Sequence, residues 1–287
     1  MKSSISSYSF SYLMQTENET QISVISKAKE IGFDAIEFTD LVYPEDMTEA
    51  EYALEIKKEA ERVGIEISCY SIGADLLSGS GGDLDAEVER IKKKVDIAEI
   101  LGVKLMRHDA SFSFLEGKRL YNGFSNVLER LADGCRRITE YAKTKGIKTM
   151  VENHGFFAQD SERVEALVNK VAHPNFGIQV DFGNFLCVDE NPATAVGRCA
   201  PYVFNAHIKD FIFKSGEEGC PGEGFIFTRG GNYIRGTVLG HGIVPIKQCV
   251  SILKANGYDG YLTLEFEGLE RLDFALSQGA RFINNLK

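Results

Sequence analysis

What this chain lacks narrows its function before any motif is read. Its six cysteines, at 69, 135, 187, 199, 220 and 249, form no C-x-x-C pair or other zinc-type spacing, which argues against a thiolate metal site. They read instead as free, mostly buried thiols of a reducing compartment. The opening Met1-Lys2-Ser3-Ser4-Ile5 lacks the apolar core of a signal peptide, and no later stretch supplies the apolar run of a membrane helix, so a cytoplasmic protein is expected. Positive charge is also short, with 32 Lys and Arg against 42 Asp and Glu and a formal charge of -10. That balance disfavours nucleic acid and anionic membranes as partners and favours a small soluble substrate. A phosphate-cradling loop is missing as well. The glycine-rich Ser78-Gly79-Ser80-Gly81-Gly82 matches neither G-x-G-x-x-G nor the Walker pattern and is expected to be a flexible loop.

What is present is a repeat of strand and helix. Short β-type runs are predicted at 5–10, 33–38, 65–70, 103–107, 147–152, 176–181, 202–208 and 261–266, alternating with eight helices. Helix boundaries come from capping-box spacings at Thr16–Glu19 and Thr48–Glu51, from Ser161 as a cap, from Pro192 and Pro245 at helix starts, and from Gly32, Gly64, Gly102 and Gly146 at helix ends. The helix before the fifth strand is predicted over 122–145. Eight such units imply parallel strands with right-handed crossovers, an α/β fold of the (β/α)8 TIM-barrel type, in one domain over 1–287. One connection is too long for the pattern. The stretch from Lys209 to Gly242 holds many glycines around runs such as Phe225-Ile226-Phe227 and is expected to be a long functional loop after the seventh strand.

Four of the predicted strand ends carry a metal-binding side chain: Glu152 in Met150-Val151-Glu152-Asn153-His154-Gly155, Asp181 in Asp181-Phe182-Gly183-Asn184, His207 in His207-Ile208-Lys209-Asp210, and Glu265 in Leu262-Thr263-Leu264-Glu265. One glutamate at a strand end is more often a salt-bridge partner. In a (β/α)8 barrel, however, the site is built at the C-terminal ends of the strands, and these four occupy matching positions on consecutive strands five to eight. Two Glu, one Asp and one His form an oxygen-rich set suited to Mn2+ above all, with Mg2+, Co2+ or Zn2+ acceptable.

With these motifs the chain resembles the xylose isomerase-like TIM-barrel superfamily of sugar phosphate isomerases and epimerases. The likeness is strongest over 147–267, including Gly257-Tyr258-Asp259-Gly260-Tyr261 before the last strand. The resemblance implies a divalent metal on Glu152, Asp181, His207 and Glu265. Similarity to ketose 3-epimerases implies that Glu152 and Glu265 double as the acid/base pair. A metal chelated by a carbonyl and its neighbouring hydroxyl acidifies the intervening C–H and stabilises the enediolate, so epimerisation or isomerisation of a sugar or sugar derivative is expected. The same base gives elimination where a leaving group stands at the β carbon, making a dehydratase or lyase on a keto-sugar, keto-inositol or keto-glycoside the alternative.

The sequence departs from the ketose 3-epimerases at Asn184, where they commonly carry His, at Phe213, where they often have Arg, and at Gly240-His241-Gly242, which replaces Gly-Glu-Gly. Lys209-Asp210 instead fits the H-x-K-D form of relatives that include dehydratases of keto-inositols. Substrate-binding candidates are His154, Lys209, His108, Glu37, Arg235 and His241, with Arg107 beside them and Arg229 as a further cation for a phosphate or carboxylate. Tyr8, Phe10, Tyr70, Phe112 and Phe114 are expected to divide between pocket wall and core. A nuclease resembling endonuclease IV fits poorly with five histidines and an acidic chain, and a non-catalytic sugar-binding barrel is the remaining reading. Pairing of barrels through their rims into a homo-oligomer is a further expectation.

Overall fold

The computed structural model describes residues 1–112 and 123–286. Asn122, the expected helix start, and Phe114 lie outside the described residues. In chain order the elements are β1 (Lys2–Ser6), α1 (Ser11–Thr16), α2 (Ser23–Ile31), β2 (Ala35–Thr39), α3 (Glu49–Val63), β3 (Glu66–Ile72), α4 (Leu84–Leu101), β4 (Leu105–His108), α5 (Phe124–Thr144) and β5 (Lys148–Glu152). There follow α6 (Ser161–Val171), β6 (Phe176–Asp181), α7 (Pro192–Cys199), β7 (Val203–Ile208), β8 (Asp210–Lys214), β9 (Ile226–Phe227), β10 (Tyr233–Thr237), α8 (Ile246–Ala255), β11 (Tyr261–Leu264) and α9 (Leu272–Asn284).

β1 to β7 and β11 close into an eight-stranded barrel in the order β1-β11-β7-β6-β5-β4-β3-β2, with every pairing parallel. The strands are apolar-rich and buried on both faces, as β6 illustrates with six buried residues in a row, because helices cover the outside and side chains fill the inside. α5 shows how the cover is made. Val127, Leu131, Cys135, Ile138 and Ala142 recur at helical spacing and are all buried against the barrel.

The caps explain most helix boundaries and two departures. Thr48 and Glu51 form the expected capping box, with Glu51 N–H donating to Thr48 Oγ1 at 3.2 Å and Thr48 N–H donating to the Glu51 carboxylate at 2.8 Å. The Thr16–Glu19 box does not form, because Glu19 turns to Ser23 and to Lys27 at 3.1 Å, and α2 starts only after reciprocal Thr20–Ser23 bonds. Asp160, rather than Ser161, caps α6 by accepting from Arg163 N–H at 3.1 Å. β1 ends earlier than expected because the Ser6 side chain accepts from Tyr8 N–H and starts a 3-10 turn over Ser7–Phe10.

The connection after β7 is more ordered than a loop. β8, β10 and β9 form a separate antiparallel sheet in that order, and apart from Gly236 within β10 the glycines lie between or beside short strands. Its base is fixed by Asp210, whose carboxylate accepts from the backbone N–H groups of Phe211, Gly240, Gly242 and Val244 at 2.9 to 3.1 Å. A side chain at Gly242 would strike that carboxylate, with a Cβ only 2.2 Å from Asp210 Oδ1. Gly240-His241-Gly242 and the Asp of the H-x-K-D motif therefore hold one another in place. The 78–82 run is likewise pinned, since the Glu87 carboxylate takes Ser80 Oγ at 2.8 Å and Asp75 N–H at 3.1 Å.

Candidate metal centre

β5 and β6 end on Glu152 and Asp181, His207 is the penultimate residue of β7, and Glu265 follows β11 directly, so the closed barrel brings the four residues to one mouth. One ligand atom from each lies within 4.8 Å of every other. His207 Nδ1 stands 3.6 Å from Glu152 Oε1, 3.6 Å from Glu265 Oε2 and 3.9 Å from Asp181 Oδ2. Among the described residues neither His207 Nδ1 nor Asp181 Oδ2 has a hydrogen-bond partner, although both atoms are buried and Oδ2 has Lys209 Nζ at 3.3 Å. Two buried polar atoms without a hydrogen bond, aimed at the same point among carboxylates, fit a divalent cation.

The surrounding bonds fix these atoms. His207 Nε2 donates to Glu37 Oε1 at 2.8 Å, which directs Nδ1 toward the cluster. Glu37 in turn accepts from Ser71 Oγ at 2.9 Å and Asn205 Nδ2 at 3.1 Å. Asn205 also donates to Gln179 at 2.8 Å, and Gln179 Nε2 donates to Glu152 Oε2 at 3.3 Å. Asn153 clamps the Asp181 backbone at both its N–H and its C=O, while Asp181 Oδ1 takes the N–H groups of Gly183 and Asn184 at 2.8 and 2.9 Å. Oδ2 is thereby left pointing at the cluster. Asn184 Nδ2 donates to Glu152 Oε1 at 3.2 Å, so the position that differs from ketose 3-epimerases touches a proposed ligand.

Two buried cations balance part of the negative charge. Arg107 bridges Glu152 at 2.6 Å and Asp109 at 2.7 Å. Lys209 lies against Glu265 at 2.5 Å, Glu267 at 3.2 Å and Asp181 at 3.3 Å. Gly183 makes room for this lysine, for a Cβ there would sit 2.4 Å from Lys209 Cγ. Burial alone would raise the Glu265 carboxyl, yet Lys209 and His207 hold it well below its ordinary range. Burial pushes Asp181 up to about 6 against the pull of Lys209, with Glu152 and Glu265 adding repulsion. Desolvation works against a charged His207, but Glu37, Glu265 and Glu152 keep its pKa well above the usual value. So much like charge in one buried place is relieved by a cation.

Above the cluster is a cavity of about 220 Å³, walled also by Tyr8, Thr39, Ser71, Arg107, His154 and Glu267. His154 is 40% exposed, and its Nδ1 meets Asp109 at 2.9 Å while Phe112 packs edge-on against the ring. Burial would lower the His154 pKa, but the hydrogen bond and charge of Asp109 raise it.

Several expected substrate contacts fall elsewhere. Glu37 sits on the cavity floor, fully buried, with its oxygens taken by His207, Ser71 and Asn205. His108 is fully buried, does not line the cavity and has Phe176 at 6.3 Å, because alternation along β4 gives the cavity position to Arg107. Arg235 on β10 pairs with Glu270 at 3.5 Å and lies over the Phe225 ring, away from the cavity lining. His241 is exposed beside Phe274. Arg229 pairs with Asp160 at 2.8 Å. Among the aromatics, Phe10 and Tyr70 are core, and Tyr8 lines the cavity. Asp109 and Glu267 are site residues that no motif signalled.

Residues 25–286 match the family described as xylose isomerase-like TIM barrel. The chain belongs to that family. Within it, an inosose dehydratase of Clostridium beijerinckii is 27% identical over 153 residues, which are 53% of this chain and 50% of that protein. The chain thus spans about half the length of the curated relatives it matches first. Among solved structures, the IOLI protein with a bound zinc atom superposes with a TM-score of 0.77 at 16% identity, covering 100% of this chain and 98% of that one. D-psicose 3-epimerase, determined in the presence of D-fructose, gives 0.74 at 17% identity, covering 100% and 99%. At these identities the structural likeness concerns the fold. No helix among the described residues is long and apolar enough to cross a membrane.

Proposed function

We propose that this protein is a divalent-metal-dependent enzyme that takes the proton next to a carbonyl of a small polyhydroxylated ketone and expels the β-hydroxyl as water. The observation that carries the metal is the convergence of Glu152, Asp181, His207 and Glu265, with no hydrogen bond from the described residues to Asp181 Oδ2 or His207 Nδ1. A bound dication supplies Lewis-acid polarisation of the substrate carbonyl. The chain's own residues do the rest. Glu152 and Glu265 face the substrate position as candidate bases, held in place by Arg107 at 2.6 Å and Lys209 at 2.5 Å.

Elimination needs, besides the base, an acid for the departing hydroxyl. His154 meets that need, half-exposed to the cavity and oriented by Asp109, whose carboxylate fixes the ring. The similarity to inosose dehydratases supports the same outcome. Epimerisation or isomerisation is the second reading, favoured by the entry of Glu152 and Glu265 from β5 and β11, which have β6 and β7 between them in the barrel. Mass spectrometry of the product formed from 2-keto-myo-inositol in D2O separates the two. Loss of one water supports the dehydratase, whereas an unchanged formula with deuterium incorporated supports the epimerase. Neither change, with metal bound, would sink both on this substrate class.

A further inference from the structure

The cavity over the metal cluster measures about 220 Å³, below the roughly 300–1,000 Å³ of most ligand pockets. It does not end there. Tyr8 and Glu267 belong to its wall and also to the wall of a second, larger groove of about 850 Å³ that runs outward between the segments following β1 and β11. The two spaces therefore abut across these two side chains.

The chemistry of the groove limits what it takes. Tyr8 is 46% exposed, and Tyr12 and Leu269 are 65% and 64% exposed, an unusual showing of large side chains around one opening. Tyrosines offer a flat apolar face with a hydrogen-bonding tip, and Ser11 and Gln15 add uncharged donors and acceptors. The described cations of the groove are engaged already, Lys27 with Glu19 at 3.1 Å and Arg271 with Asp273. Of the acids in the walls, Glu267 and Glu270 are paired with Lys209 at 3.2 Å and Arg235 at 3.5 Å, and the Glu17 carboxylate disfavours a phosphate or carboxylate.

Building on the proposed reaction, we infer that the substrate has two uncharged rings: a ketone-bearing sugar or polyol ring held at the metal cluster, joined to a second sugar ring lying in the groove against Tyr8 and Tyr12. Tyr12 then determines specificity by contacting the ring that does not react.

Calorimetric titration of the Mn2+-loaded full chain tests this, because binding is read without turnover. The probes are D-fructose, D-fructose 6-phosphate, and the glucosyl- and galactosyl-fructoses turanose, leucrose, isomaltulose and lactulose, which place the second ring in different directions. At least one disaccharide is expected to bind about tenfold or more tightly than D-fructose, and Tyr12→Ala to bring that ratio toward one. The inference is overturned if no disaccharide exceeds D-fructose, if the phosphate binds tightest, or if Tyr12→Ala leaves the ratio intact. A concentration-dependent dimer that Tyr12→Ala dissociates would assign the face to a second copy and overturn it too. A disaccharide preference without water loss or deuterium exchange would leave the groove established while removing the proposed reaction.

Discussion

Nε2 of His207 and Oε1 of Glu37 lie 2.8 Å apart across the barrel interior, and this bond leaves the opposite ring nitrogen facing Glu152, Asp181 and Glu265. At the proposed metal site Glu37 would therefore act through the imidazole. Glu37→Gln keeps an oxygen acceptor but removes the charge that makes His207 a better ligand, and it is expected to weaken Mn2+ binding by about 10- to 100-fold. Titration of the folded variant, checked by circular dichroism, reads this directly. Unchanged affinity would reduce Glu37 to a packing role.

Arg107 joins Glu152 and Asp109 in a buried network. Arg107→Ala leaves two carboxylates without their cation and is expected to cost about 3–5 kcal/mol of stability in metal-free protein. Saturating Mn2+ should recover part of that loss by compensating Glu152. Urea unfolding with and without Mn2+ checks both statements, and an equal loss in the two conditions would show that Arg107 does not share charge with the metal site.

Gly183 has an ordinary backbone conformation at φ -75°, so its need for glycine comes from the neighbouring Lys209 stem and Phe211 ring, which a Cβ would meet at 2.4 and 2.9 Å. Gly183→Ala should cost about 1–3 kcal/mol through overpacking and shift the lysine away from Glu265. In a Lys209→Ser background the same change should cost less, the Phe211 ring contact remaining. A double-mutant cycle by thermal unfolding measures the difference, and additivity would mean the two residues do not press on one another.

The thiols offer a check on the packing. Cys220 is exposed, while Cys69, Cys135, Cys187, Cys199 and Cys249 are buried. Burial pushes Cys187, Cys199 and Cys249 up to about 12. One thiol of the six should react quickly with a disulfide reagent in native protein, and all six after denaturation. Two or more fast thiols in the folded chain would contradict the packing of the barrel helices.

The barrel and the convergence of four side chains able to hold a metal were legible in the sequence because both rest on a repeat. Each βα unit places its strand end at the same face, so Glu152, Asp181, His207 and Glu265 could be aligned without knowing the fold in detail. The network beneath them was not legible. Glu37 and His207 meet only because β2 and β7 face one another inside a closed barrel, and no local pattern links them. Parity was a second blind spot, since in the four-residue β4 one step in register exchanges Arg107 for His108 at the cavity. The sheet after β7 hid among glycines because β9 has only two residues, too short for any period to show. Arg235 and His241 looked like site residues for that reason, being assigned to a long functional loop after the seventh strand rather than to a sheet and its flank.

The central claim, one divalent cation held by Glu152, Asp181, His207 and Glu265, is tested most directly by pulsed EPR of protein loaded with Mn2+. The account predicts one bound ion per chain, with coupling to a single imidazole nitrogen that disappears in His207→Gln and with binding greatly weakened in Asp181→Asn. A Mn2+ signal indistinguishable from the free aqueous ion, or a nitrogen coupling that persists in His207→Gln, would contradict it.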